Sequence, residues 1–219
     1  EQELREGAKL LERIVTRVYT PGSLYEESLL GTDERSLLVS VTLGKSALGI
    51  GIVDASTGQA WASNLNGDDR FARALDEIMR WRPTEIVVSP QDAEDTELCA
   101  LFSHLDNVLV SQHRASENKR RKRLEKVLKV ADLGHLDLDD SPLALAAAGL
   151  AADYLATMHI ADEVPLRDIE VIDEAGHLVL DQTTLKNLEL TSTLAGEFEG
   201  SLLSTMNACR SSMGRRLLK

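Results

Sequence analysis

The chain has 219 residues, of which 43% are apolar, 27% are charged and 4% are aromatic, and its formal net charge is −12. This composition excludes a chain that is disordered throughout, because it supplies enough apolar side chains for one large domain or two small ones. The longest uncharged apolar run, 141–152, is too short to cross a bilayer, which needs about 20 apolar residues. We therefore expect a soluble, cytoplasmic protein without a membrane contact. The wide separation of the two cysteines, Cys99 and Cys209, fits a reducing compartment.

The charge is concentrated unevenly along the chain. Residues 114–129 contain eight basic and two acidic side chains, a net charge of +6, which leaves −18 on the remaining residues. Two interpretations stay open for this stretch: a solvated helix face, or a local contact with the phosphate backbone of a nucleic acid. In the second interpretation, the candidate phosphate contacts are the four consecutive residues Arg120, Arg121, Lys122 and Arg123.

The first elements predict a β-meander. A helix, or a helix that leads into a strand, is expected over residues 3–18, and the sequence Thr-Pro-Gly-Ser at 20–23 ends it in a turn. Three β-rich runs separated by short glycine-containing turns follow, at 37–43, 47–54 and 59–65.

Alternating helices and strands come next. Apolar residues at helical spacing from Phe71 to Met79 predict a helix that ends before Pro83, and the short apolar run 85–89 predicts a strand buried on both faces. A helix around 98–104 and a strand around 108–111 repeat this pattern. The elements predict an α+β or α/β domain over about 23–112, and α/β is the preferred class.

The second half is predicted to be mainly helical. Ser141 and Pro142 are an N-cap and a first helical residue, and they open a long, tightly packed helix to residue 158. Further elements are expected as strands at 166–171 and 178–180 and as helices starting at Asp181 and Ser201. Residues 213–219 resemble a helix cut in mid-course, as at the boundary of a longer protein.

Two short motifs are better explained as turns than as sites. Gly44-Lys45-Ser46 resembles the end of a P-loop, but Val39 occupies the position of the earlier glycine and the run lies in a predicted hairpin. Asp54 to Gly58 resembles an aspartic-protease loop, but the chain has no second copy to share the proton.

No catalytic, cofactor-binding or metal-binding residues are predicted. The five histidines have no recognisable ligand spacing; they are His104, His113, His135, His159 and His177. An acidic cluster at 137–140 precedes a helix, where the helix dipole favours carboxylates, and lacks the glycine and terminal glutamate of a calcium loop.

Three passages, in chain order, resemble motifs of the MutS mismatch-repair family. They are RIVTRVYTPGSL at 13–24 with ESLL at 27–30, GIGIVDASTG at 49–58, and LDQTTLKNLEL at 180–190 followed by GSLL at 200–203 and MGRRLL at 213–218. The family patterns are R-x-V-T-P-G-T…E-x-L-L, G-x-A-x-x-D-x-S-T-G and L-D-x-x-T-x-R-N-L-E-L…G-S-L-L…M-G-x-R-L-L. The chain departs from them at Lys186, where the family has arginine, and over 206–214.

This resemblance implies an internal piece of a longer protein with three parts. Residues 1–22 would be a linker from the mismatch-recognition domain, 23–113 an RNase H-like connector domain, and 114–219 the start of a truncated, helical core or lever domain. The parent would bind mismatched DNA as a homodimer and hydrolyse ATP with Mg²⁺ at a P-loop that this chain lacks. The piece itself would be non-catalytic and without a cofactor, would couple the mismatch and ATPase ends, and would offer a docking surface to a MutL-type repair protein.

Two other functions remain as alternatives. One is a free-standing nucleic-acid-binding module that uses residues 114–129. The other is a metal-dependent nuclease, which would need clustered carboxylates to hold two Mg²⁺ ions. The predicted first strand, 37–43, contains no acidic residue.

Overall fold

The computed structural model describes residues 18–23, 36–130, 133, 141–158, 166, 168–172, 182–211, 214–215 and 218. Within these residues, six strands are present, at Leu37–Leu43 (β1), Ala47–Asp54 (β2), Gln59–Asn66 (β3), Glu85–Val88 (β4), Leu109–Gln112 (β5) and Asp168–Val171 (β6). The described part of the chain also contains six α-helices, at Arg70–Trp81 (α1), Thr96–Phe102 (α2), Glu117–Leu128 (α3), Pro142–Met158 (α4), Gln182–Asn187 (α5) and Leu202–Met206 (α6). A short 3₁₀ helix spans Asp92–Glu94.

All six strands form one sheet in the order β5-β4-β1-β2-β3-β6. β2 pairs antiparallel with β1 and β3, whereas the pairs β1–β4, β4–β5 and β3–β6 are parallel. Among these described strands, β2 is therefore the one that runs opposite to the others. The sequence-based β-meander and the α/β class are confirmed.

The alternation of side chains along the strands divides the core into two layers. On β2, Ile50 and Ile52 face a cluster that includes Ala74 and Ile78 of α1 and Leu98 of α2. Full burial of each such isoleucine or leucine contributes about 1.5–3 kcal/mol to folding. The opposite face of the sheet is covered by α4, and α3 packs on α4. Alternate residues along each strand therefore contact different helices.

The long helix α4 lies very close to the sheet because β2 presents glycines to it. A Cβ atom on Gly49 would lie 2.1 Å from the carbonyl oxygen of Leu143, and one on Gly51 would lie 2.6 Å from the amide nitrogen of Ala148. The hydroxyl of Ser40, buried on β1, donates a hydrogen bond of 2.7 Å to the carbonyl oxygen of Ala147. Small residues on both partners thus let the backbones of helix and sheet meet.

Most other predicted elements are confirmed within the described residues. The alanine-rich helix, the strand at 168–171 and the helices that follow Asp181 and Ser201 are present, and the Ser201 hydroxyl accepts from the amide of Ser204 as an N-cap. The expected helix over 3–18 and the strand at 178–180 lie outside the described residues, except for Val18. Of the expected C-terminal helix over 213–219, only 214, 215 and 218 are described.

Two elements of the second half contact the sheet formed by the first half. α4 packs across β1, β2 and β3, and β6 extends the sheet beyond β3. In the described part of the chain, no helix has the length and apolar character needed to cross a membrane.

Candidate functional site

A buried carboxylate, Glu85, joins three distant parts of the chain. Its Oε1 accepts hydrogen bonds from Ser111 Oγ of β5 (2.6 Å) and from Tyr154 Oη of α4 (2.5 Å). Its Oε2 accepts from the backbone amide of Gly22 (3.0 Å), in the turn at 20–23. Glu85 is fully buried, and three donors satisfy it.

The turn at 20–23 has further contacts with the sheet. Ser36 Oγ and Thr84 Oγ1 both donate to the carbonyl oxygen of Pro21, at 2.8 and 3.0 Å. The amide of Val18 also donates to the carbonyl oxygen of Met158, the last residue of α4 (2.9 Å). The segment 18–23 is therefore fixed to both the sheet and α4.

Tyr154 directly follows a second buried carboxylate, Asp153, in α4. Burial, followed by the hydrogen bond to Glu85, raises the pKa of Tyr154, so that the phenol keeps its proton and donates it. The ring packs edge-on against His113, with 5.5 Å between ring centroids. His113 Nε2 in turn lies 2.9 Å from Oδ2 of the neighbouring residue, Asp153.

Asp153 attaches the basic helix α3 to α4. Its buried carboxylate accepts hydrogen bonds from Lys119 Nζ (2.8 Å) and Arg123 Nε (3.3 Å). Burial by itself raises the pKa of Asp153, but hydrogen bonds from Lys119 and His113 and the charge of Lys119 outweigh it, and the pKa lies below its ordinary value. The side chain is thus an anion at neutral pH and has three partners.

Helix α3 is highly charged, and its apolar contacts with α4 come from Leu124, Val127 and Leu128 on one side. Ser116 caps its N-terminus by accepting a hydrogen bond from the amide of Lys119, and Lys129 closes its C-terminus in the left-handed conformation. Leu124 is its one fully buried residue. Gly149 of α4 lets the backbone of Arg120 approach, since a Cβ there would lie 2.7 Å from Arg120 Cβ.

One face of α3 presents four cations to a shallow pocket of about 430 Å³. The pocket is lined by Ser116, Asn118, Lys119, Lys122, Arg123 and Lys126. The four cations follow the i, i+3, i+4, i+7 spacing of one helix face. We call this surface, defined by Lys119, Lys122, Arg123 and Lys126, the basic face.

The four predicted phosphate contacts lie on different sides of α3. Lys122 and Arg123 belong to the basic face. Arg121 pairs with Glu125 on another side, at 3.2 Å. Arg120 is half-buried, its Nε donates to the carbonyl oxygen of Ala115, and burial lowers its pKa. The phosphate contacts predicted from the sequence did not include Lys119 and Lys126. The helical spacing of these lysines from Lys122 and Arg123 was the signal that could have identified them.

Other candidate motifs form turns in the structure. Asp54 Oδ1 accepts from the amide and hydroxyl of Ser56, at 2.9 and 2.6 Å, and so shapes the turn between β2 and β3. Gly44 to Ser46 connect β1 to β2, where the amide of Gly44 donates to the carbonyl oxygen of Ala47. Within the described residues, no three histidine, cysteine, aspartate or glutamate side chains are grouped so as to hold a metal ion.

Comparison with known proteins gives one consistent result. The family model for MutS domain II matches residues 36–168. The DNA mismatch repair protein MutS of Symbiobacterium thermophilum is 33% identical over 222 residues, which cover 100% of this chain and 25% of that protein. The MutS proteins of Nostoc punctiforme and Trichormus variabilis are 33% and 31% identical and cover 97% and 100% of this chain.

The chain spans about a quarter of the length of these curated relatives, because the matches cover 25%, 25% and 27% of them. The family model covers more than half of the chain and includes α3, α4 and the whole sheet up to the first residue of β6. This chain therefore belongs to the MutS family of DNA mismatch repair proteins.

Proposed function

We propose that this chain is the connector part of a longer MutS-type protein and has no catalytic activity of its own. The observation that carries the proposal is the match of residues 36–168 to MutS domain II, together with similarity to MutS proteins along the whole chain. In the longer protein, ATP and Mg²⁺ would bind to a P-loop domain outside this chain, and the protein would bind mismatched DNA as a homodimer in the cytoplasm. This part would need no cofactor.

The contacts of Glu85 support a coupling role. Through Gly22 this carboxylate holds the segment that would lead from the mismatch-recognition domain, and through Tyr154 it holds α4. The preceding residue of α4, Asp153, holds α3. A displacement of the linker would therefore act directly on the helical layer, which is what a connector between two distant functional domains requires.

We also infer an RNase H-like arrangement for the first five strands. Their order is 3-2-1-4-5, and strand 2 is antiparallel to the rest. The connector would extend beyond residue 113, the end expected from the sequence, because α4 covers the sheet and β6 prolongs it to Val171. The core or lever segment would then start after β6.

The connector would offer a docking surface to a MutL-type protein. The test is a binding titration of the 219-residue chain against that protein, with the complete MutS-type protein as positive control and competitor. We expect saturable binding that the complete protein competes away. Absence of binding under conditions in which the complete protein binds would contradict the docking proposal.

A second measurement tests the non-catalytic assignment. We expect the 219-residue chain to hydrolyse no ATP above background and to bind matched and mismatched duplexes equally. Hydrolysis at the rate of the complete protein would contradict the assignment. The alternative of a free-standing nucleic-acid-binding module is less well supported, since it does not explain the similarity to MutS proteins along the whole chain.

A further inference from the structure

The basic face of α3 is arranged in advance for an anionic ligand. Asp153 holds Lys119 and Arg123 at 2.8 and 3.3 Å and so fixes two of the four cations without filling the pocket. Part of the conformational entropy that two long side chains would lose on binding a ligand is thus already lost in the folded chain.

The other two cations of the basic face are directed to solvent. Lys122 and Lys126 are exposed, and the described residues provide no ion pair to either. Four cations against one carboxylate give this face a positive charge, and none of the six residues that line the pocket is acidic. A ligand with several negative charges would neutralise it.

The lining favours a phosphate backbone over an acidic polypeptide. All six lining residues are polar or charged, whereas protein interfaces have an apolar, often aromatic centre. From Lys119 to Lys126 the helix rises about 10 Å. This length matches roughly three phosphates of one strand, which follow each other every 3.4 Å along the duplex axis.

The lining also determines what such a site could recognise. It contains no aromatic side chain on which a base could stack. Contacts to phosphates carry no sequence information. The charge of −18 outside residues 114–129 would confine the contact to this face.

We propose that the basic face of α3 binds the phosphate backbone of DNA, without sequence or mismatch preference, through Lys119, Lys122, Arg123 and Lys126, with Asp153 as the positioning residue. This site goes beyond the docking of a MutL-type protein and does not depend on it. The proposed site consists of four residues on one side of the helix. The site expected from the sequence consists of the four consecutive residues 120–123, of which Arg120 and Arg121 lie outside the basic face.

The test is a fluorescence anisotropy titration of a labelled matched duplex with the 219-residue chain at several salt concentrations. With two or three phosphates neutralised, log K should fall against log salt with a slope of about −2 to −3. The double variant Lys122→Gln/Lys126→Gln should reduce the magnitude of that slope by about 2, or about 1 for each lysine removed.

Each single variant, Lys122→Gln or Lys126→Gln, is matched by the control Arg121→Gln, which also removes one positive charge from α3 but outside the basic face. This control should leave the slope unchanged. All variants are compared by circular dichroism, and the double variant should fold normally because both lysines are exposed. It should also keep any binding to a MutL-type protein, which separates this proposal from the proposed docking.

Three outcomes would overturn the proposal. They are a wild-type titration without salt-dependent binding, an equal loss of slope in Arg121→Gln and in the double variant, and a higher affinity of the basic face for polyglutamate than for the duplex at equal charge. The last result would assign the face to an acidic polypeptide.

Discussion

Helices α3 and α4 pack against each other but are held in the fold by different combinations of contacts. α4 buries ten of its residues, most of them alanine, glycine or leucine, and rests on glycines of β2. α3 buries only Leu124 and is fixed by a carboxylate that α4 supplies. The sheet therefore positions α4 by shape, whereas α4 positions α3 by charge in addition to apolar packing and the close approach at Gly149.

A substitution at the shape-based contact between α4 and the sheet should lower the free energy of unfolding the most. Gly49→Ala places a methyl group where the backbone of Leu143 lies, and we expect it to lower the free energy of unfolding by about 3 kcal/mol or more. Urea denaturation of the 219-residue chain measures this. Gly196→Ala is the control, because it meets no atom within 4 Å and should cost only about 1–2 kcal/mol for its φ of +87°. Equal losses of stability in the two variants would contradict the close approach of the α4 backbone to β2.

A substitution at the charge-based contact between α3 and α4 should give the second-largest loss of stability. Asp153→Asn keeps the shape but removes the charge that holds Lys119 and Arg123, and we expect a loss of about 2 kcal/mol at pH 7, less than for a fully buried pair because Lys119 is half-exposed. Asp76→Asn, at an exposed position of α1, should change stability by less than about 0.5 kcal/mol. A loss no larger than that of Asp76→Asn would show that α3 does not depend on Asp153.

The same carboxylate should give the chain a specific pH dependence. The pKa of Asp153, which its hydrogen bonds to Lys119 and His113 lower, lies below the unfolded value of about 3.9. Its stabilisation is therefore complete above the unfolded pKa and is lost as the pH falls through the folded pKa. Wild type and Asp153→Asn should thus converge in stability below about pH 4. A constant difference between them down to pH 2 would contradict this linkage.

Gly149→Ala gives a smaller effect whose sign is informative. Alanine in a helix is favoured over glycine by about 1 kcal/mol, but the new methyl group would meet Arg120 Cβ at 2.7 Å and its backbone at 3.0 Å. Because overpacking costs about 1–3 kcal/mol, we expect a net loss of about 1 kcal/mol in denaturant titration. A gain of about 1 kcal/mol would show that α3 does not pack on α4 in solution.

The smallest effect should come from Arg121→Gln. It breaks an exposed i, i+4 pair with Glu125, and such pairs contribute about 0.3–0.5 kcal/mol. Thermal unfolding should show almost no change. A loss as large as that of Asp153→Asn would mean that the surface pairs of α3, rather than Asp153, hold the helix.

Local patterns were sufficient for most elements and insufficient for the site. The turns around Gly44 and Gly58, and the Ser141-Pro142 start of α4, are encoded within a few residues, so the sequence predicts them. Asp153 was missed because its partners lie 30 to 40 positions away, as Arg123 and His113 do. The available signal was a single charge inside an otherwise apolar helix, which must find a partner when the helix is buried.

Glu85 presents the same difficulty. It opens a strand that is otherwise apolar, and its partners Gly22, Ser111 and Tyr154 lie 63, 26 and 69 positions away in the chain. Only the topology of the sheet brings these residues together. The sequence thus identifies the buried strand but not the carboxylate that joins three segments there.

The edge strand β6 affects how shorter versions of the chain would associate. β6 closes the outer edge of β3 over Gln59–Ala62, and Trp61 Nε1 donates to Glu170, 109 positions away. A chain that ended after α4 would leave the amide and carbonyl groups of that edge unpaired, beside the exposed remainder of the Trp61 ring. Such an edge is a template for strands of other molecules. Removing β6, a four-residue edge strand that carries the exposed residues Asp168 and Glu170, should therefore expose the longer edge of β3 and promote self-association.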